Sequence, residues 1–136
     1  MSKYKAKTKV IDCIKFDSII EADYYERLKK DVADGKILNF DLQPVFELQR
    51  KFEMNDKKYQ AINYKADFRV YLNNGLIDVI DIKGMATPEA KLKRKMYNYK
   101  YLVPVKWIVW YQSKWMDYDK ALKIKRERKK ARLLKL

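Results

Sequence analysis

Apolar and polar positions alternate most clearly over residues 64–84. The first arm reads Tyr64-Lys65-Ala66-Asp67-Phe68-Arg69-Val70-Tyr71-Leu72 and the second Leu76-Ile77-Asp78-Val79-Ile80-Asp81-Ile82-Lys83-Gly84. Both are rich in β-branched and aromatic residues, and Asn73-Asn74-Gly75 between them is turn chemistry, so the pattern predicts two antiparallel strands. A three-residue loop with Gly75 in the left-handed position pairs Leu72 with Leu76 and sets Asp67 opposite Asp81. One face then carries Ala66, Phe68, Val70, Leu72, Leu76, Ile80 and Ile82, interrupted only by Asp78. The other carries Lys65, Asp67, Arg69, Asp81 and Lys83. A two-residue Asn-Gly loop shifts the pairing by one, sets Phe68 against Asp81 and mixes the faces, which a half-buried sheet penalises. The three-residue register is therefore the predicted one.

The flanking segments add elements around this hairpin. Residues 10–16 alternate briefly and predict an edge strand. Asp17-Ser18-Ile19-Ile20-Glu21 opens a helix that runs to about Asp34 and stops at Gly35, a favourable C-terminal cap. Its stripe of Ile20, Tyr24, Tyr25, Leu28 and Val32 faces the core, and Glu21 lies on that side. Residues 37–52 predict a long strand with a phase change at Gln43-Pro44, where proline cannot donate to a ladder. Gln43 reads either as a polar group beside the hairpin carboxylates or as the residue before a bulge. Asn55-Asp56-Lys57-Lys58 predicts a turn. Thr87-Pro88-Glu89 starts a second helix, threonine as N-cap and proline in the first turn, reaching roughly Tyr101. The nearly continuous apolar run over 105–111 predicts a strand buried on both faces, with Trp107 and Trp110 in the core. Strand, helix, strand implies a parallel crossover. The expected fold class is therefore α/β, with helix, three antiparallel strands, helix and strand building a mixed sheet flanked by helices. Residues 118–136 predict a basic amphipathic helix.

Length makes this one domain over 1–136, with a core of about 10–112 and a basic tail of about 117–136. The chain has 32 Lys+Arg against 18 Asp+Glu, a net charge of +14. A surplus of that size is the footprint of a polyanionic partner. No apolar run is long enough for a membrane span and no signal peptide follows Met1, so neither a membrane nor a secreted location is expected. The single Cys13 excludes an internal disulfide and a cysteine-based zinc site, which fits a reducing cytoplasm. Histidine is absent, which rules out HNH nucleases, histidine zinc sites and a Ser-His-Asp triad.

Chemistry on a nucleic acid would then fall to carboxylates, lysine and a metal. Asp67 opposite Asp81 is a repulsive pair that a purely structural sheet avoids. A divalent cation removes the repulsion, since Mg²⁺ is commonly held by one or two carboxylates, waters and phosphate oxygens. The competing reading is a solvated face with ion pairs Asp67 to Lys83 and Asp81 to Lys65. Glu21 likewise has two readings, as the glutamate of a Ser18-x-x-Glu21 capping box or as a carboxylate aimed at the sheet. Lys65, Arg69, Lys91, Lys93, Arg94 and Lys95 are the candidate DNA-binding cations. Trp107, Trp110, Trp115 and the tyrosines at 97, 99, 101 and 111 offer aromatic surface for core, dimer contact or base stacking.

The ordered set Glu21, Asp67, Asp81-Ile82-Lys83 with a following basic helix resembles the PD-(D/E)xK nuclease superfamily. More narrowly, Phe16-Asp17-Ser18 with Glu21-Ala22, then Leu42-Gln43-Pro44, Ala66-Asp67-Phe68 and Asp81-Ile82-Lys83-Gly84-Met85, is similar to small phage-encoded Holliday junction resolvase-like endonucleases. The likeness spans about residues 10–110. Ala66 stands where the superfamily name has proline, and Asp81 where glutamate is frequent. The resemblance implies a restriction-endonuclease-like core and an Mg²⁺-dependent endodeoxyribonuclease, with Mn²⁺ as a substitute ion. It implies Asp67, Asp81 and the Ile82 carbonyl as ligands, Glu21 completing the site directly or through water, and Lys83 orienting the attacking water. An ion-free site of that composition is expected to hold a carboxylate protonated. A four-way junction has two symmetric scissile phosphates, so the partner would be branched DNA and the enzyme a homodimer, acting in a host cytoplasm. Two other classes stay open: a non-catalytic DNA-binding accessory with a nuclease-like fold, and a nuclease for linear, flap or RNA substrates.

Overall fold

The computed structural model describes residues 7–135. The sequence also predicts a basic, polar arm over residues 1–9, most of which lies outside the described residues. A short hairpin, β1 (Lys9–Ile11) and β2 (Ile14–Phe16), turns through Asp12 and Cys13, both left-handed at φ 53° and 63°. Helix α1 (Ile19–Ala33) follows, with Ser18 as an extended N-cap whose hydroxyl accepts from the Glu21 amide. It ends at Asp34, and Gly35 takes the left-handed conformation, φ 72°, that carries the chain away.

Five strands form the main sheet in the order β11-β10-β9-β8-β3, where β3 is Asn39–Leu42, β8 Phe68–Tyr71, β9 Ile77–Ile82, β10 Lys106–Tyr111 and β11 Lys114–Asp117. Only β9 and β10 run parallel, joined through helix α2 (Pro88–Tyr101); the other neighbours are antiparallel. The protein is thus mixed α/β with a mixed sheet. Thr87 caps α2 by accepting from the Ala90 amide, and Leu102 closes it in a left-handed conformation. The β8–β9 register pairs Phe68 with Ile80 and Val70 with Asp78. The Leu72 amide donates to the Leu76 carbonyl, and Gly75 sits at φ 85°. This is the three-residue loop, and it carries Asp67 to a position opposite Asp81.

Alternation along β9 divides the core. Ile80 joins Phe68, Val70, Phe16, Ala22, Tyr24 and Leu28 under α1. Val79 joins Trp107, Val109, Tyr97, Tyr118 and Ala121 on the side of α2 and of helix α3 (Tyr118–Leu134).

The strand predicted over 37–52 is broken in two. β3 stays in the sheet, whereas β4 (Val45–Gln49) pairs with β7 (Ile62–Lys65) in a separate ribbon. The partner strand breaks at the same level, between Lys65 and Phe68. Two bonds stitch the breaks together: the Gln43 amide donates to the Asp67 carbonyl and the Ala66 amide to the Pro44 carbonyl. Gln43 is left-handed, φ 48°, so one continuous ladder bends here. As a result Ala66 packs with Tyr64, Val79 and Trp107, not beside Phe68 as unbroken alternation predicts.

Beyond the bend, β5 (Phe52–Met54) and β6 (Lys57–Tyr59) form a further hairpin through left-handed Asn55 and Asp56. β11 returns from β10 through left-handed Gln112 and Ser113. Strand β10 is not covered on both faces: Trp107 is 1 % exposed, but Trp110, on the other side, is 46 % exposed. Trp110 instead packs edge-on against Trp115. No helix among the described residues is long and apolar enough to cross a membrane.

Candidate active site

The bend in the ladder places Asp67 at the end of β8, next to β9. Its Oδ2 accepts from the Ile82 amide at 2.7 Å. The register that pairs Phe68 with Ile80 sets Asp67 opposite Asp81, and the charges of Asp81 and Glu21 both bear on the Asp67 carboxyl. Glu21 therefore does not complete a capping box. Ser18 caps its amide, while its carboxyl turns to the sheet. Glu21 at 7 % exposed and Asp81 at 4 % are the charged residues that are buried among those described. Burying a carboxylate is costly unless something positive meets it.

Asp81 is held by two partners. Lys83 Nζ lies 3.0 Å from its Oδ2, and the Tyr64 hydroxyl donates to the same oxygen at 2.6 Å. Trp107 Nε1 in turn donates to the Tyr64 oxygen at 2.9 Å. Trp107 is opposite Asp81 in the parallel β9–β10 pairing, and Lys83 Nζ stands 5.1 Å from the centre of its ring. No fully buried side-chain nitrogen or oxygen among the described residues lacks a partner.

Electrostatics follow from this crowding. Burial, then the Asp81 charge and its hydrogen bond, then Glu21, push the Asp67 carboxyl up to about 9, opposed only by the Ile82 amide. Glu21 is raised by burial and by the charges of Asp17 and Asp81, and Lys65 works the other way. The Tyr64 hydroxyl is raised by burial and by Asp81. The cluster thus carries more negative potential than the protein itself neutralises, and a cation would relieve it.

A carboxylate-only donor set suits a hard divalent ion such as Mg²⁺ or Mn²⁺. Asp67 and Asp81 would be the ligands, with Glu21 bound directly or through water; the Ile82 carbonyl is the further ligand that the family resemblance implies. No group of three or more His, Cys, Asp or Glu side chains among the described residues already stands in ligand geometry. Binding an ion would require small side-chain shifts and an exchange with Lys83 on Asp81.

The DUF1064 sequence model, described as a protein of unknown function, matches residues 1–119. The chain belongs to the DUF1064 family. No curated protein and no solved structure matches it. All of the carboxylate cluster lies inside the DUF1064 match, whereas most of α3 lies beyond it.

Other expected site residues of this DUF1064 protein divide into two groups. Lys65 acts on Glu21, and Gln43 lines a cleft of about 140 Å³ with Glu21, Lys15 and Leu42. Gln43 is thus the residue of the bend, and it lines this cleft beside Glu21. Three of the remaining cations are paired with acids. Arg69 pairs with Asp41 at 3.0 Å, Lys93 with Glu89 at 3.2 Å and Arg94 with Asp119 at 2.9 Å. Arg94 also lies 3.9 Å above the Trp107 ring. Lys91 and Lys95 line a separate groove that includes Asp117 and Asp119. The ion pairs expected of a merely solvated face, Asp67 with Lys83 and Asp81 with Lys65, are not the ones formed; Lys83 pairs with Asp81, on its own strand.

Sequence reasoning missed Tyr64 and Trp107. Unbroken alternation puts Tyr64 on the face of Phe68, away from the aspartates, and only the bend reverses this. Trp107 becomes a neighbour of Asp81 through the β9–β10 register, which has no local signature.

Proposed function

We propose that this DUF1064 protein is a metal-dependent, structure-selective DNA endonuclease that hydrolyses phosphodiester bonds in Holliday or other branched junctions, working as a homodimer. The observation that carries the reading is the burial of Glu21 on α1 and Asp81 on β9, with Asp67 set opposite Asp81 by the β8–β9 register and Lys83 held on Asp81. The element order of helix, antiparallel meander, helix and parallel strand is the one the PD-(D/E)xK resemblance calls for, and supports it. The net charge of +14 supplies the attraction to DNA.

A divalent ion at Asp67 and Asp81 would supply Lewis acidity and lower the pKa of a bound water, an activation for which this chain has no histidine base. Tyr64, backed by Trp107, fixes the rotamer of Asp81. The Ile82 amide does the same for Asp67. Lys83, displaced from Asp81, is placed to orient the attacking water and to offset charge on the phosphoryl oxygens. The attacking water gives up a proton to solvent as a new P–O bond forms to its oxygen, one ester P–O bond breaks, and the leaving oxygen takes a proton from solvent.

Wild-type protein with Mg²⁺ should cut a four-way junction symmetrically, while Asp67→Asn and Asp81→Asn bind it and leave it intact. Equal cutting by all three would remove these residues from the chemistry. The Lys83–Asp81 ion pair, at 3.0 Å, favours one second reading: a DNA-binding accessory that keeps the fold. Calorimetry decides between them, because an accessory takes up neither Mg²⁺ nor Mn²⁺ at millimolar concentration.

A further inference from the structure

The β5–β6 hairpin is the part of the chain that the carboxylate site does not use. Every residue over 51–60 is exposed. An isolated two-stranded hairpin with no third strand or helix against it is marginal in water, yet this one displays its apolar side. Phe52 pairs across the ladder with Tyr59, and their rings stack at 4.6 Å with planes 7° apart. Met54, 59 % exposed, continues the same side. Lys57 Nζ lies 5.1 Å from the centre of the Tyr59 ring. Lys51, Glu53, Lys58 and Gln60 edge a cleft of about 390 Å³ that has Phe52 and Tyr59 in its wall.

Flat exposed rings flanked by lysines are what unpaired nucleobases need, a π face for stacking and a cation for the adjoining phosphate. A second copy of this chain is the less favourable occupant, since both surfaces would bring the same lysines together. We infer that the β5–β6 hairpin binds DNA at unpaired bases, with Phe52 and Tyr59 as the stacking platform. The inference rests on the reading of DNA as the partner and deepens it, because it assigns selectivity for branched DNA to an element outside the carboxylate cluster.

The test is binding, measured in EDTA so that no cleavage intervenes. The probes are a four-way junction with 2-aminopurine at the branch point, a single strand carrying the same base, and an uninterrupted duplex. Wild-type protein should quench the 2-aminopurine on binding, a readout that needs no variant. The double variant F52L/Y59L keeps an apolar cross-strand pair but has no π face. It should bind the junction and the single strand about tenfold more weakly or worse, and the duplex within about threefold of wild type. An unchanged thermal unfolding curve shows the variant to be folded; if it melts early, Phe52→Leu alone is read instead. Absence of quenching on bound junction, unchanged affinity of the variant, or an equal loss on all three DNAs would overturn the inference while leaving the nuclease reading intact. Wild-type protein that binds none of the three sinks both. A mass that doubles and is restored to monomer by F52L/Y59L would make the hairpin a self-association surface instead.

Discussion

Asp67 is a carboxyl that its surroundings discourage from ionising. Burial and the neighbouring carboxylates raise it in the folded protein, to about 9, from an ordinary value of 3.8. Between those values the folded chain holds a proton that the unfolded chain has released. Without metal, this group's contribution to stability is therefore fully present below about pH 4 and declines as pH rises toward about 9. Asp67→Asn keeps an oxygen for the Ile82 amide and cannot ionise. In EDTA at pH 8 it should unfold a few degrees above wild type, a gain of about 1–2 kcal/mol, with the difference vanishing near pH 4. Thermal unfolding across pH 4–9 checks this; a variant less stable at pH 8 would mean that Asp67 is already neutralised by the protein. At this scale Asp67, Asp81, Lys83 and Glu21 were legible because parity along two strands and one helix face is a local property. Tyr64 and Trp107 were not, because their access to Asp81 depends on a bend and on a parallel register set by the whole sheet.

Elements whose ends carry their own chemistry were legible to within a residue or two. Ser18 and Gly35 bracket α1, Thr87-Pro88 opens α2, and Asn73-Asn74-Gly75 sets the central register. The hairpins at Asp12-Cys13, Asn55-Asp56 and Gln112-Ser113 escaped notice or were read only as turns. Each uses left-handed backbone at two non-glycine positions, where the glycine that normally flags such a turn is missing. Strand β11 was missed with the last of them, and the sheet therefore reaches Asp117 instead of stopping near 112. Gly75 offers the cleanest test of the register argument. At φ 85° with nothing within 4 Å of an added Cβ, Gly75→Ala meets backbone strain and no clash. It should lower stability by about 1 kcal/mol, read from the urea midpoint at unchanged slope. A neutral result would mean that the loop relaxes freely and that the opposed faces of β8 and β9 alone hold Asp67 against Asp81.

For the whole molecule, the charge surplus is unevenly distributed. Near the body of the protein many cations have partners: Arg69 with Asp41, Arg94 with Asp119, Lys106 with Asp78. Along α3 the pattern changes. Its first turns bury Tyr118 and Ala121, which anchor it to the sheet, but every described residue from Lys125 onward is exposed. That stretch holds Lys125, Arg126, Arg128, Lys129, Lys130, Arg132 and Lys135 against Glu127. Among the described residues no ion pair reaches any of them. Like charges four apart, as in Lys125 with Lys129 and Arg128 with Arg132, destabilise a helix unless a polyanion or salt screens them. If this arm lies along DNA, stopping the chain after Lys125 removes cations that displace counterions and leaves the core untouched. The truncated protein should keep its unfolding midpoint to within about 1 kcal/mol. Its log-log plot of duplex affinity against salt should flatten by up to about 0.9 for each phosphate that the shortened arm no longer neutralises. An unchanged slope would place the arm away from the nucleic acid, and the attraction to DNA would then rest on the cations that border Glu21 and the β5–β6 hairpin.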